Sequence, residues 1–191
     1  MQSPILGVDP GTHHCGWGIV ARDGTRFVHI AHGVINAPSK EAMPERLRFI
    51  ADAMGAIVAM HKPQSVGIEQ AFVHLDPKAA LAIGHARGVI MVECVRAGMP
   101  VSEYAPTVVK RSVVGTGRAD KMQVNAMIRV LLGLTEIPSL DASDALAVAI
   151  CHSGATQFSS ILQAANPTKS SAESTLLKLW KPKRTRSSRR S

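Results

Sequence analysis

Four carboxylates stand at positions where a carboxylate can do chemistry. Asp9 closes the run Ile5-Leu6-Gly7-Val8-Asp9 ahead of Pro10-Gly11-Thr12, and Glu69 closes Val66-Gly67-Ile68 ahead of Gln70. Each follows a short apolar run that reads as a buried strand. Asp141 and Asp144, in Asp141-Ala142-Ser143-Asp144-Ala145, are spaced i, i+3 at the start of a small-residue helix, which turns both to one face. A carboxylate at the end of a core strand is costly to bury unless a cation neutralises it. Mg²⁺ or Mn²⁺ takes hard oxygen ligands, and two such ions about 4 Å apart can flank a phosphate undergoing in-line displacement. The four acids therefore point to metal-dependent phosphodiester hydrolysis.

Elements must bring these acids together. Residues 5–8 read as a first strand and 17–22 as a second. Asp23-Gly24 marks a hairpin into a third strand over 26–35, completing an antiparallel meander. Residues 44–60 carry Leu47, Ile50, Met54, Ile57 and Val58 at helical spacing, and His61-Lys62-Pro63 stops them. A fourth strand spans 66–68, a long Ala- and Gly-rich helix 77–98, and a fifth strand 101–104. A short helix over 107–114, the loop Gly115-Thr116-Gly117, and helices over 121–132 and 141–153 follow. This order predicts a five-stranded mixed α/β sheet flanked by helices. Placing the first and fourth strands side by side joins Asp9 to Glu69, and the last helix then lays Asp141 and Asp144 against that edge.

The chain of 191 residues is long enough for one well-buried domain. No run of 18 apolar residues and no charged-then-apolar leader indicates a membrane span or signal peptide. Cys15, Cys94 and Cys151 lack metal or redox spacing, and Cys151-His152 lacks the tetrahedral zinc pattern, so free thiols in a reducing cytoplasm are expected. The net charge of +8 is unevenly held. Residues 155–191 carry eight Lys or Arg against Glu173 alone, whereas residues 1–154 hold 14 basic and 13 acidic groups. The expected division is a domain over 1–154 and a basic, disordered tail over 155–191, with a short helix possible at 172–180. Such a tail suits a polyanionic partner; a merely solvated extension is the alternative.

At these residues the chain resembles the RuvC family of Holliday junction resolvases, on a ribonuclease-H-like fold. The matching stretches are Ile5-Leu6-Gly7-Val8-Asp9-Pro10-Gly11, Ile68-Glu69-Gln70-Ala71-Phe72, Ala86-Arg87-Gly88-Val89, Val113-Val114-Gly115-Thr116-Gly117 through Lys121, and Asp141-Ala142-Ser143-Asp144-Ala145-Leu146-Ala147. They run in order across about residues 4–153. The resemblance implies that Asp9, Glu69, Asp141 and Asp144 are catalytic metal-binding carboxylates holding Mg²⁺, with Mn²⁺ as a substitute and two ions per site. It implies a homodimer that nicks two opposed strands of a four-way DNA junction, leaving ends a ligase can seal, in recombination and repair. Symmetric incision needs two sites related by a two-fold axis. A branch-migration complex is the further partner implied. His13-His14-Cys15 fills a stretch that varies in the family, and the basic tail runs beyond the usual core; neither inherits a role.

Several residues have competing readings. Phe72 lies three residues after Glu69, where an aromatic can stack on unpaired bases for about 1–3 kcal/mol per base; a core-capping ring is the alternative. Lys110, Arg111, Arg118 and Lys121 surround the glycine loop and suit phosphate contacts, Lys110 and Lys121 foremost. A solvated charged loop would look the same, and the Walker spacing is absent. Arg87 is as well placed for an intrahelical or dimer-interface pair as for DNA. His13 and His14 are expected as exposed loop residues, Trp17 as sheet core, and Asp141 could instead cap its helix.

Other functions compete. A ribonuclease H or transposase relative would use the same fold and metal chemistry on another nucleic acid. A sugar-kinase-like phosphotransferase could be built on Asp9-Pro10-Gly11-Thr12, but needs a second large domain for which the chain is too short. A junction-binding protein without catalysis would not need an intact acid set.

Overall fold

The computed structural model describes residues 3–70, 76–136 and 138–165. The element order is β1 (Ile5–Asp9), β2 (His14–Asp23), β3 (Arg26–Asn36), α1 (Met43–His61), β4 (Ser65–Glu69), α2 (Pro77–Arg96), β5 (Val101–Tyr104), α3 (Pro106–Val114), α4 (Lys121–Leu132) and α5 (Leu140–Ala165). The chain divides into two units, Met1–Ala155 and Thr156–Ser191, and the sheet lies in the first. Among the described residues no helix is long and apolar enough to cross a membrane.

The strands form one sheet in the order β3-β2-β1-β4-β5. β1, β2 and β3 pair antiparallel, and β4 and β5 join parallel to β1. The expected five-stranded mixed sheet is therefore present, with the first and fourth strands adjacent. The hairpin turns at Gly24, whose φ of 60° a side chain would disfavour. In β3 Val20 pairs with His29 but Ile19 with Ala31, so Ile30 is the extra residue of a β-bulge.

The two faces of the sheet are built differently. Alternation along β1 sends Leu6 and Val8 to one face, where they join Val66 and Ile68 of β4 against Ile50 and Met54 of α1 and Ala86 and Ile90 of α2. The other face carries glycine. Gly18, Gly7 and Gly67 are cross-strand neighbours on β2, β1 and β4, and α5 lies directly on them. A Cβ at Gly7 would fall 2.2 Å from the Ala145 carbonyl oxygen, at Gly18 2.7 Å from Leu146, and at Gly67 2.9 Å from the Cβ of His152. Buried Ala142, Ala145 and Ala149 keep the helix side equally thin.

Two sequence expectations need correction. The last helix does not end near residue 153 but continues to Ala165, so residues 155–165 are helical rather than disordered. Gln, Leu and Ala there favour helix, and Pro167 follows only after its end. The other concerns Arg87, which pairs with Glu103 of β5, a contact between two elements of the chain rather than along α2. Phe72, and the short helix suggested at 172–180, lie outside the described residues.

Candidate active site

The glycine row explains where the acids sit. Asp9 is two residues beyond Gly7 and Glu69 two beyond Gly67, so the period of two puts both on the α5 face at the same edge. The β1–β4 register of Val8 with Ile68 then makes them neighbours. From above, α5 brings Asp144. Asp141 comes with its backbone against Gly16, the register partner of Asp9, where a Cβ would lie 2.0 Å from the Asp141 carbonyl oxygen. Asp141 is not the helix cap; Ser139 is, its hydroxyl accepting from the Ala142 N–H at 3.4 Å.

Asp9 and Glu69 share a hydrogen bond, and Asp9 is pushed up to about 8. Burial is the largest cause, followed by the charge of Glu69, its hydrogen bond and the charge of Asp144, with Lys121 opposing. Glu69 is also raised by burial, although its bond with Asp9 works against the shift. Both shifts run toward the neutral form, because two buried like charges do not both ionise readily without a cation beside them.

The cationic side of the site comes from α3 and α4. Asp120 caps α4 through a reciprocal capping box with Gln123, which sets Lys121 at the first helical position. Its Nζ donates to Asp144 Oδ2 at 3.1 Å, and this bond raises Lys121 above the usual lysine range. Lys110 Nζ donates to the Ala119 carbonyl at 2.8 Å, so this lysine ties down the α3–α4 loop. Asp9, Glu69, Asp144, Lys110 and Lys121 line one cleft of about 400 Å³, floored by Pro106, Val109 and Val124. Arg111 and Arg118 are exposed outside its lining.

The donor set suits a hard divalent ion in kind: carboxylate oxygens, with those of Asp9 and Glu69 already side by side. Among the described residues no three acidic, His or Cys side chains converge on one point. Asp144 is engaged by Lys121 and Asp141 lies to one side. That agrees with an ion that keeps several waters and takes further oxygens from a phosphate.

Residues outside the acid set also shape the site. His152 is buried and bridges three elements, 2.7 Å from Tyr104 Oη and 2.9 Å from Ser65 Oγ. It locks α5 to β4 and β5, and burial pushes it down to about 4. Asn125 donates to the Pro138 carbonyl at 3.0 Å, fixing the approach to α5. Of the two histidines after Asp9, His14 opens β2 and its Nδ1 lies 2.8 Å from Asn36 Oδ1, while exposed His13 touches Arg46. The only sequence signal for the close α5 contact is glycine at 7, 18 and 67, which registers as a row only when the strand pairing is known.

Comparison with known proteins agrees with this architecture. The profile of the family described as "Crossover junction endodeoxyribonuclease RuvC" matches residues 5–152. Among curated proteins, the chain is 48% identical over 153 residues to the crossover junction endodeoxyribonuclease RuvC of Hyphomonas neptunium, covering 79% of this chain and 92% of that one. It is 44% identical over 160 residues to that of Sorangium cellulosum, covering 84% and 89%. Among solved structures it is similar to Thermus thermophilus RuvC in complex with Holliday junction substrate, with TM-score 0.78 and 31% identity over 82% of this chain and 96% of that one.

Proposed function

The chain belongs to the RuvC family of crossover junction endodeoxyribonucleases, and on that premise we propose that it resolves Holliday junctions by metal-dependent nicking of two opposed strands. The observation that carries this reading is the pairing of Asp9 with Glu69 in a cleft also lined by Asp144 and Lys121, where burial and the neighbouring acids push Asp9 up. A site so built is short of positive charge. Mg²⁺ ions, with Mn²⁺ as a substitute and two per site, supply that charge and the activation of water for in-line displacement.

The residues of the chain have distinct roles in this reading. Asp9 and Glu69 would hold the metal from the sheet side, and Asp144 and Asp141 from α5. Lys121, beside Asp144 in the cleft, would contact the phosphate under attack. Lys110, which donates to the Ala119 carbonyl, stiffens the α3–α4 loop that presents Arg118, while Arg111 reaches the backbone from α3 itself. Phe72 is assigned to stacking on unpaired bases at the crossover, from the family resemblance.

Symmetric incision requires a second copy. The homodimer is supported by α2, whose Leu81, Val92 and Val95 are exposed, and whose Gly84 and Gly88 meet nothing across the helix. Leu81, Gly84, Gly88 and Val95 follow the seven-residue spacing of a helix seam, with Val92 beside them. A branch-migration complex and a cytoplasmic setting complete the proposal.

The test is incubation of the purified protein with a synthetic four-way junction, a linear duplex and an RNA–DNA hybrid, each with and without Mg²⁺. Paired nicks confined to the junction and dependent on Mg²⁺ are expected. Preferred cutting of the hybrid would replace the reading with a ribonuclease-H-like one; junction binding without cutting would make the protein a binder. Phe72→Ala should slow nicking of a fully paired junction more than of one with unpaired bases at the cut site; equal defects would make Phe72 structural.

A further inference from the structure

We propose that Arg46, held in place by His13, is a contact point for the phosphodiester backbone of the substrate on the α1 side of the sheet, an inference that rests on the nucleic-acid reading above. Arg46 lies in the first turn of α1, whose start stands at the sheet edge where β3 ends. Its Nη1 is 2.6 Å from His13 Nε2 and 3.1 Å from Nδ1, and its Nη2 is 3.8 Å from Met43 Sδ.

Arg46 is positioned by an imidazole, whereas three of the other described arginines are held by acids. Arg48 pairs with Glu45 and Asp52, Arg87 with Glu103 and Arg96 with Glu93. Among the described residues Arg46 has no carboxylate. A guanidinium can only donate, so the His13 ring accepts, and an imidazole carries no negative charge to cancel that of the fork. The Nε of Arg46 is buried and has no partner within the described residues. The buried Nε is closed to an outside ligand, but the half-buried guanidinium keeps its charge and, on Nη1 and Nη2, N–H groups beyond those turned to His13 and Met43, which can engage a phosphate through two bonds.

Its location makes a substrate phosphate the matching anion. His13 ends the short turn Pro10–His13 that begins directly after Asp9. The turn is closed tightly, since a Cβ at Gly11 would lie 2.0 Å from the His14 carbonyl oxygen, and Ala37 N donates to the His13 carbonyl at 2.9 Å. Arg46, reaching from α1 to His13, is therefore held beside a turn with little freedom at the same end of the sheet as Asp9. Lys110 and Lys121 contact the cleft from the α3–α4 side, and Arg46 extends a backbone track toward α1.

The test measures binding of a labelled four-way junction by the full-length protein without divalent metal, from 50 to 200 mM salt. Arg46→Gln should weaken binding and lower the magnitude of the log affinity–log salt slope by about 0.9. Its deficit against wild type should then shrink roughly threefold across that range. Arg46→Met, which keeps the apolar stem, should give the same slope change and stands in if Arg46→Gln does not fold. Arg46→Lys should restore the slope. His13→Ala should weaken binding with the slope unchanged, as befits a positioning residue. A wild-type slope in both neutral variants, whatever their affinity, overturns the proposal and leaves Arg46 a structural brace for the turn. That result, with wild type still cutting junctions, spares the nuclease reading; failure of wild type to bind a junction would strike the reading itself.

Discussion

The two faces of the sheet bury helices by opposite means. Under α1 and α2 the strands present Leu6, Val8, Val66 and Ile68, and side chains of ordinary size fill the space between layers. Under α5 they present Gly18, Gly7 and Gly67, and the helix backbone itself meets the sheet. The first arrangement yields a core that tolerates exchange of one aliphatic group for another. The second fixes the helix to within a fraction of an ångström, which is what a site needs when one acid comes from each of two strands and two more from a helix. Stability can be spread over the first face, whereas the position of the acids depends on the second.

The largest effect should come from filling the glycine row. Gly7→Val places new carbons on the Ala145 carbonyl and Ala149 N–H, both backbone and unable to give. Thermal or urea unfolding should show a loss of more than about 3 kcal/mol, or no folded protein at all. A mild loss would mean that α5 lifts easily, and the contrast between the faces would be wrong. On the other face, Met54→Ala should cost about 2–4 kcal/mol. Its folded fraction should nick junctions at a rate close to wild type, because the acids keep their places.

His152 gives a pH-dependent handle on the same helix. Folded, it is held down to about 4, below the ordinary 6.5, so the unfolded chain takes up the proton first as pH falls. Its contribution is full above about pH 6.5 and is lost progressively down to about pH 4, by up to roughly 3 kcal/mol. Asp9 is shifted upward and acts with the opposite sign across that window. The difference between wild type and His152→Gln therefore isolates the histidine: the variant should lose the acid-side decline. Parallel pH curves would show that the Tyr104–His152–Ser65 bridge does not tie α5 down.

How far the sequence reveals this arrangement differs by face. The apolar runs and turn signals locate all five strands and five helices to within a few residues, apart from the end of α5. The acids at strand ends are visible because an apolar run that stops at a carboxylate is unusual. The close approach of α5 is not visible, since glycines at 7, 18 and 67 lie far apart until the β2-β1-β4 pairing aligns them. The Lys121–Asp144 pair and the Arg46–His13 contact are equally hidden, because each joins elements that only tertiary packing brings together. Cys151-His152 illustrates the reverse: its neighbours in sequence suggest metal chemistry to be rejected, whereas its neighbours in space make it a brace.

The smallest effect on the fold, though not on binding, is expected from the tail. Deleting residues 166–191 removes eight basic groups and Glu173. If these touch phosphates, the salt slope should fall in magnitude by about three to six, while the nicked positions stay the same because phosphate contacts carry no base information. An unchanged slope would leave the tail a solvated extension or a docking segment, with Leu176, Leu177 and Trp180 the first residues to change.

The central claim is that the carboxylates meeting on the glycine face are the machinery of cleavage, and Asp9→Asn addresses it most directly. The change keeps the size of the side chain and removes the acid that pairs with Glu69. Nicking of a four-way junction in Mg²⁺ should fall by at least about a thousandfold. Binding of the same junction without metal should stay within a few-fold of wild type, because affinity comes mainly from phosphate contacts elsewhere. Nicking at the normal rate by Asp9→Asn protein free of wild type would contradict the account.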